Sequence, residues 1–234
     1  MKIKGIYLKY LLNHSYIRSL GGELYISPKA RLKNVKAYIY SGGSLIIGDD
    51  CILENCVISV QKGKIELADN VIVVGQSHSP VQINVENGNI TVRDHVKLSC
   101  NRIWVRFGGE LKIDKYTNLN RGSEIRCDEK VTIGAFNGIS YNVRIWDTNT
   151  HSFLSKLDRQ DVRIRKFPYF GYEESKPVTA PVSIGNDCWI GENCTLLKGT
   201  RLGDGVIVGY GTLISGKVIP DGAKAFNHIQ LEIR

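Results

Sequence analysis

A cluster of polar and titratable residues stands at positions 146–151, where the sequence reads WDTNTH. His151 carries an imidazole, which can take up a proton near neutral pH and so act as a general base. Asp147 and Asn149 precede it by four and two residues and could either hold the imidazole or stabilise a turn. From spacing alone, His151 could equally cap a hydrophobic core. Which of these roles applies depends on the strands and loops that precede and follow the cluster.

The chain around this cluster repeats with a period of six residues. After position 183 an aliphatic residue returns at every sixth position, and a small or modest residue follows four positions after each one. A six-residue step suits a short strand plus a corner, and three such steps close one triangular coil. The pattern predicts an all-β parallel β-helix. Its aliphatic positions are Ile184, Ile190, Leu196, Leu202, Val208 and Ile214.

The same register extends towards the N-terminus and predicts one solenoid domain over residues 24–220. Apolar residues at helical spacing predict a short helical cap within residues 1–23, and residues 221–234 form a C-terminal tail. The earlier inward positions are predicted to include Ile26, Leu32, Tyr38, Ile47, Leu53, Ile113, Leu119, Ile125, Ile133, Ile139 and Ile145.

The hexad register stops where His151 occupies the next aliphatic position, and it resumes at Val182. Residues 152–180 are therefore predicted to form a long irregular loop, which is a common place for functional residues. The loop mixes cations with aromatic residues. This composition suits an acidic glycan or a nucleotide- or lipid-linked sugar, and a lid packed on a neighbouring subunit is the alternative. These residues are Arg159, Arg163, Arg165, Lys166, Phe167, Tyr169, Phe170 and Tyr172.

Composition limits the partners and the compartment. The formal net charge of +8 favours anionic partners, but no nucleic-acid-binding motif accompanies it. The sequence has no apolar run long enough to span a membrane and no secretory signal, so we expect a cytoplasmic protein. An N-terminal helix lying on a membrane surface is an alternative for residues 1–23. The five histidines lack the spacing of a three-histidine zinc site, and we expect no metal.

The six cysteines contain no C-x-x-C pair. Cys51, Cys188 and Cys194 fall on the small inward position of the repeat, which predicts that they are packing residues rather than reactive thiols.

The run PVSIGNDCWIGENCTLLKGTRLGDGVIVGYGTLIS resembles the hexapeptide-repeat acyltransferases. The DTNTH stretch with its long insertion is most similar to the branch that O-acetylates sugars and surface polysaccharides. The resemblance covers residues 113–220 well and residues 24–112 by periodicity only. It implies a left-handed β-helix, acetyl-CoA as co-substrate, and a homotrimer with active sites between subunits.

The resemblance also implies roles for individual residues. It implies that His151 is the general base of a direct acetyl transfer, that Asn120 lies near acceptor and acetyl group, and that Trp189 lies beside the acetyl-CoA channel. The basic composition of the loop, separately from the resemblance, predicts that Arg163 and Arg165 bind an anionic acceptor. The family's G-N-P-A-[KR] tail is replaced here by IPDGAKAFNHIQLEIR. Further cofactor contacts are expected at Gly191, Lys198, Gly209, Tyr210, Ser215 and Lys217.

The expected activity is transfer of an acetyl group to a hydroxyl of a bacterial surface or capsular polysaccharide sugar, or of its precursor. An N-acetyltransferase of a nucleotide-linked amino sugar and a non-enzymatic β-helix scaffold are the alternatives. A γ-type carbonic anhydrase is disfavoured by the histidine spacing, and a serine acetyltransferase by the absence of its long helical N-terminal region.

Overall fold

The chain winds into a triangular prism of parallel strands in a computed structural model that describes residues 13–168 and 175–228. Each coil places one strand segment on each of three faces. A nine-stranded sheet forms the first face, and a sixteen-stranded sheet bends around a corner to form the second and third faces. The predicted parallel β-helix is therefore confirmed.

The strands follow one another in chain order. The N-terminal coils contain β1 (Tyr16–Leu20), β2 (Glu23–Ile26), β3 (Arg31–Tyr40), β4 (Gly43–Ile47), β5 (Ile52–Val60), β6 (Gly63–Leu67), β7 (Ile72–Val74), β8 (Val81–Val85), β9 (Gly88–Val92), β10 (Lys97–Leu98), β11 (Arg102–Val105) and β12 (Gly109–Ile113). The next coils contain β13 (Asn118–Leu119), β14 (Glu124–Cys127), β15 (Lys130–Ile133), β16 (Gly138–Ile139) and β17 (Arg144–Trp146), which precede α1 (Lys156–Lys166). The last coils contain β18 (Val182–Ile184), β19 (Trp189–Ile190), β20 (Thr195–Leu197), β21 (Arg201–Leu202), β22 (Ile207–Val208), β23 (Leu213–Ser215), β24 (Val218–Ile219) and β25 (Lys224–Ala225).

The three faces are visited in a fixed order. In the coil before α1, β15 lies on the first face, β16 on the second and β17 on the third. The chain then leaves the prism at the corner between the third and first faces, and it returns to the first face at β18. Val131 of β15 pairs in register with Val182 of β18, so the insertion leaves the ladder unbroken.

The core is the column of inward aliphatic and small side chains. The predicted inward residues from Ile113 to Ile214 are all buried, and so are all six cysteines, which are free thiols. The packing role predicted for Cys51, Cys188 and Cys194 is thus consistent with their burial.

The inward position predicted for Tyr38 is wrong. Tyr38 is half-buried on the outer side of β3, and Ile39 is fully buried instead. The corner at Asn34, whose φ is 53°, lies inside β3 and shifts the register of the residues that follow it.

Two predicted boundaries also change. Tyr16–Leu20 is a strand that pairs with β3, so the solenoid begins before residue 24. Of the helical cap expected within residues 1–23, residues 1–12 lie outside the described residues. The insertion predicted to be irregular contains the helix α1, capped by Ser155, whose side chain accepts a hydrogen bond from the Asp158 N–H. Among the described residues, no helix is long and apolar enough to cross a membrane.

Candidate active site

The two ends of the insertion are joined by main-chain hydrogen bonds. The Asn149 N–H donates to the Val178 carbonyl at 3.0 Å, and the Ala180 N–H donates to the Asp147 carbonyl at 2.9 Å. Thr148 and Thr179 form an antiparallel bridge between these bonds. The loop root, residues 147–149 and 178–180, is therefore fixed to the prism independently of the conformation of the rest of the loop.

Asp147 is fully buried beneath this root. Its carboxylate accepts hydrogen bonds from the N–H groups of Asp128 (2.8 Å), Glu129 (2.8 Å) and Lys130 (2.7 Å) in the coil below. Burial raises the pKa of the Asp147 carboxyl, and the three donors oppose that shift. Asp147 anchors the loop root to the preceding corner. The alternative in which the imidazole N–H of His151 donates a hydrogen bond to Asp147 stays a prediction.

His151 lies on the surface just beyond this anchor. It follows Thr150, which is buried and has a φ of 69°, a left-handed conformation that is unusual for a β-branched residue. The Thr150 N–H donates to Thr148 Oγ1 at 3.0 Å, and Thr150 Oγ1 accepts from Arg126 Nη1 at 3.2 Å. An exposed imidazole is thus attached to a rigid, strained main-chain turn.

Trp189 and Asn120 lie on a different part of the prism, the second face. Trp189 is 61% exposed and pairs with Gly138 of the coil below. Because Gly138 has no side chain, the indole can lie over it, and a Cβ placed there would be 3.9 Å from Trp189 Cδ1. Asn120 lies half-buried at the end of the β13 row, on the same face. Trp189 and Asn120 therefore share the second face, whereas His151 lies at the corner between the third and first faces.

The predicted cofactor residues divide between the same two places. Gly191 and Gly209 follow the strands of the second face, and the corner beyond them carries Tyr210, whose hydroxyl accepts a hydrogen bond from Asn193 Nδ2 at 2.9 Å. Lys198, Ser215 and Lys217 lie at the end of the third face, on the side of the prism where the insertion leaves. A single chain therefore does not bring the two groups together.

The two arginines predicted to bind the acceptor both lie on α1. Arg163 is exposed, whereas Arg165 donates to Asp161 one turn earlier, at 2.8 Å from Nε and 2.7 Å from Nη2. No residue of α1 is buried. The aromatic residues predicted to accompany them at Tyr169, Phe170 and Tyr172 lie outside the described residues.

A cluster on the third face was not anticipated from the sequence. Trp104, Arg126 and Trp146 pair in successive coils, and the Arg126 guanidinium carbon lies 4.2 Å from the centroid of Trp146 and 5.9 Å from that of Trp104. Glu124 accepts hydrogen bonds from both Arg126 and Arg102. The only feature of the sequence that could have indicated this cluster is the spacing of Trp104, Arg126 and Trp146, which follow one another at intervals of about one coil. Among the described residues, no group of three His, Cys, Asp or Glu side chains could hold a metal ion.

Comparison with known proteins identifies the repeat. Residues 181–216 match the family described as bacterial transferase hexapeptide (six repeats). The six-residue period is therefore a transferase hexapeptide repeat over these residues. The chain superimposes on the polysialic acid-specific acetyltransferase NeuO with a TM-score of 0.52 and 15% sequence identity, which is a likeness of fold. The superposition covers 92% of this chain and 82% of the other. The left-handed form of the β-helix, expected from the resemblance, is the fold of this chain.

Two curated relatives of this chain are named as acetyltransferases. It is 33% identical over 115 residues to the putative acetyltransferase YvoF of Bacillus subtilis, covering 48% of this chain and 54% of that one. It is 37% identical over 112 residues to the putative lipopolysaccharide biosynthesis O-acetyl transferase WbbJ of Escherichia coli, covering 48% and 51%. This chain thus spans about half the length of the curated relatives it matches.

Proposed function

We propose that this protein is an acetyl-CoA-dependent O-acetyltransferase that acts on a hydroxyl of a bacterial surface or capsular polysaccharide sugar, or of its precursor. The observation that carries the proposal is the exposed His151 at a rigid loop root, where a transferase hexapeptide solenoid is interrupted. The names of the relatives agree with acetyl transfer, and one of them names an O-acetyl transferase of lipopolysaccharide biosynthesis.

The proposed chemistry is a direct transfer with His151 as the general base. The neutral imidazole takes the proton from the acceptor hydroxyl as the oxygen attacks the thioester carbonyl carbon of acetyl-CoA. The carbon–sulfur bond then breaks, and the departing thiolate receives the proton back from the imidazolium. The products are an acetyl ester and free coenzyme A, and no covalent enzyme intermediate is needed.

A site that uses both His151 and Trp189 would require two subunits. The corner between the third and first faces lies opposite the second face of a triangular prism, so these two residues are on opposite sides of one chain. A second copy that sets its second face against that corner would bring them together. Such a head-to-tail contact can close into a ring, which favours the homotrimer expected from the resemblance.

Exposed apolar side chains on the last coils support a contact of this kind. Trp189 lies on the second face, whereas Leu213 and Val218 lie on the third and first faces, on either side of the corner that it would meet. They are 61%, 54% and 72% exposed, so both surfaces of the proposed contact present large apolar groups that association would bury. The same arrangement would place Gly191 and Gly209 of one subunit opposite Lys198 and Lys217 of the next. The pantetheine arm of acetyl-CoA would then lie along the glycine-lined face, with its phosphates near the lysines.

The activity is tested by an acetyl-transfer screen. The purified protein is incubated with acetyl-CoA and a panel of free sugars, glycan fragments and nucleotide-linked amino sugars, and products are read by mass spectrometry. An acetyl ester on a sugar hydroxyl is the expected product. Acetylation confined to an amine would replace the proposal with an N-acetyltransferase, and failure to bind coenzyme A would favour a non-enzymatic scaffold.

The shared site is tested separately by mixing two variants. His151→Ala and Trp189→Ala proteins, each expected to be inactive alone, are unfolded together and refolded. Every mixed trimer then contains one interface with a native His151 facing a native Trp189, so activity should return. A mixture that assembles but stays inactive would reject a site shared between subunits.

A further inference from the structure

We propose that Arg126 is a positioning residue that fixes the orientation of His151 through Thr150. The inference rests on the proposed function, because it concerns the residue taken there as the general base. Arg126 lies in β14, one coil before the loop, and its Nη1 donates to Thr150 Oγ1 at 3.2 Å. Thr150 is the residue immediately before His151.

Thr150 needs such a contact because of its main-chain conformation. A φ of 69° brings the Cβ of an L-residue close to the following carbonyl oxygen, and the branched side chain of threonine adds to the crowding. Conformations of this kind persist only where the surroundings hold them, and they cluster at active sites. Two contacts hold this one, the Thr150 N–H to Thr148 Oγ1 and the Arg126 guanidinium to Thr150 Oγ1. The first is local, whereas the second ties the turn to the prism.

Arg126 is itself fixed on the remaining sides. Its guanidinium stacks on Trp146, with 4.2 Å between the central carbon and the ring centroid, and its Nε donates to Glu124. The side chain is only 17% exposed. A planar guanidinium can stack on a ring, bind a carboxylate and still direct a third N–H at a hydroxyl, whereas a lysine ammonium cannot keep all three contacts. The arginine therefore acts as a rigid brace rather than a solvated surface cation.

The direction of the next side chain depends on this brace. If Thr150 relaxes towards the extended region, the main chain turns at that point and His151 leaves its position. A general base displaced by about 1 Å can lose on the order of 100-fold in rate, while substrates bound elsewhere are held as before. The expected signature is thus a fall in kcat with KM for acetyl-CoA unchanged.

The test compares Arg126→Ala, Thr150→Val and the double variant with the native protein. Valine keeps the shape of threonine but removes the acceptor. Each single variant should lower kcat by about 10- to 100-fold. The double variant should be no slower than the worse single one, since both break the same link. Arg126→Lys and added guanidinium with Arg126→Ala should each restore part of the rate.

Arg102→Ala is the matched control. Arg102 also binds Glu124, and its guanidinium carbon also lies near the Trp104 ring, at 5.1 Å, but its hydrogen bonds go to Glu124 and not to Thr150. It should keep near-native kcat. Equal loss in Arg102→Ala, additive losses in the double variant, or rates that merely follow lowered melting temperatures would overturn the inference. If His151→Ala keeps its activity, His151 is not the general base and the proposed function fails. If His151→Ala is impaired but the Arg126 and Thr150 variants are not, His151 remains the proposed base and the positioning role of Arg126 is rejected.

Discussion

The carboxylate of Asp147 accepts a hydrogen bond from the main-chain N–H of Lys130 at 2.7 Å, across the boundary between two coils. Asp128 and Glu129 donate to the same carboxylate. The corner that ends one coil is therefore held by Asp147, the residue that follows β17 at the loop root of the next coil. This contact links the stability of the prism to the geometry of the loop root.

Asp147→Asn should destabilise the protein by about 1–3 kcal/mol, the cost of leaving buried donors poorly satisfied. The amide supplies one acceptor oxygen and turns an NH2 group towards N–H donors. Urea unfolding midpoints would measure the change. Asp187→Asn is the control, because Asp187 is exposed at a corner with a φ of 54°, which asparagine tolerates well. A midpoint shift for Asp147→Asn no larger than that of the control would contradict the anchoring role.

His151→Ala should lower turnover by roughly 100-fold or more, the usual contribution of a general base, while the affinity for acetyl-CoA stays almost unchanged. Steady-state kinetics and calorimetric titration with acetyl-CoA measure the two quantities. His78→Ala, which removes another exposed histidine, should behave as the native protein. Near-native turnover of His151→Ala on the true acceptor would remove His151 from the mechanism.

The cysteines should be unreactive in the folded protein. Burial raises the pKa of Cys56 and Cys100 from 9.0 to about 12, so the nucleophilic thiolate is scarce at neutral pH. Because these pKa values are higher folded than unfolded, deprotonation favours the unfolded chain, and stability should fall as pH rises above about 9. A thiol reagent should label six groups in guanidinium chloride and almost none under native conditions at pH 7. Rapid native labelling would show that the core opens.

Replacing Arg163 and Arg165 with Ala should raise KM for an anionic acceptor more than it lowers kcat, as expected when uniform binding is lost. Arg163→Ala alone should have the larger effect, because Arg165 already pairs with Asp161. Added salt should reproduce the effect in the native protein, since exposed charges are screened over about 10 Å at 0.1 M. Equal KM values for native and double-variant proteins would show that α1 does not bind the acceptor.

The sequence predicted the C-terminal coils better than the N-terminal ones for a geometric reason. Ser183 pairs with Arg201, 18 residues later, which is three hexads, whereas Gly43 pairs with Gly63, 20 residues later. Extra corner residues hide the six-residue period and produced the wrong register at Tyr38. The interrupted period located His151. Contacts such as Arg126 to Thr150 could not be predicted, because they depend on coil length and on the positive φ of Thr150.

The closed root of the insertion makes the loop an exchangeable module. Residues 147–149 and 178–180 are joined directly by main-chain hydrogen bonds. Val131 and Val182 pair in register although the insertion separates their strands along the chain. Lengthening a loop whose ends are already fixed adds little to its closure entropy. New lengths and compositions can therefore be tried between these ends without refolding the solenoid. The insertion can therefore diverge in length and composition while the solenoid that carries it stays unchanged.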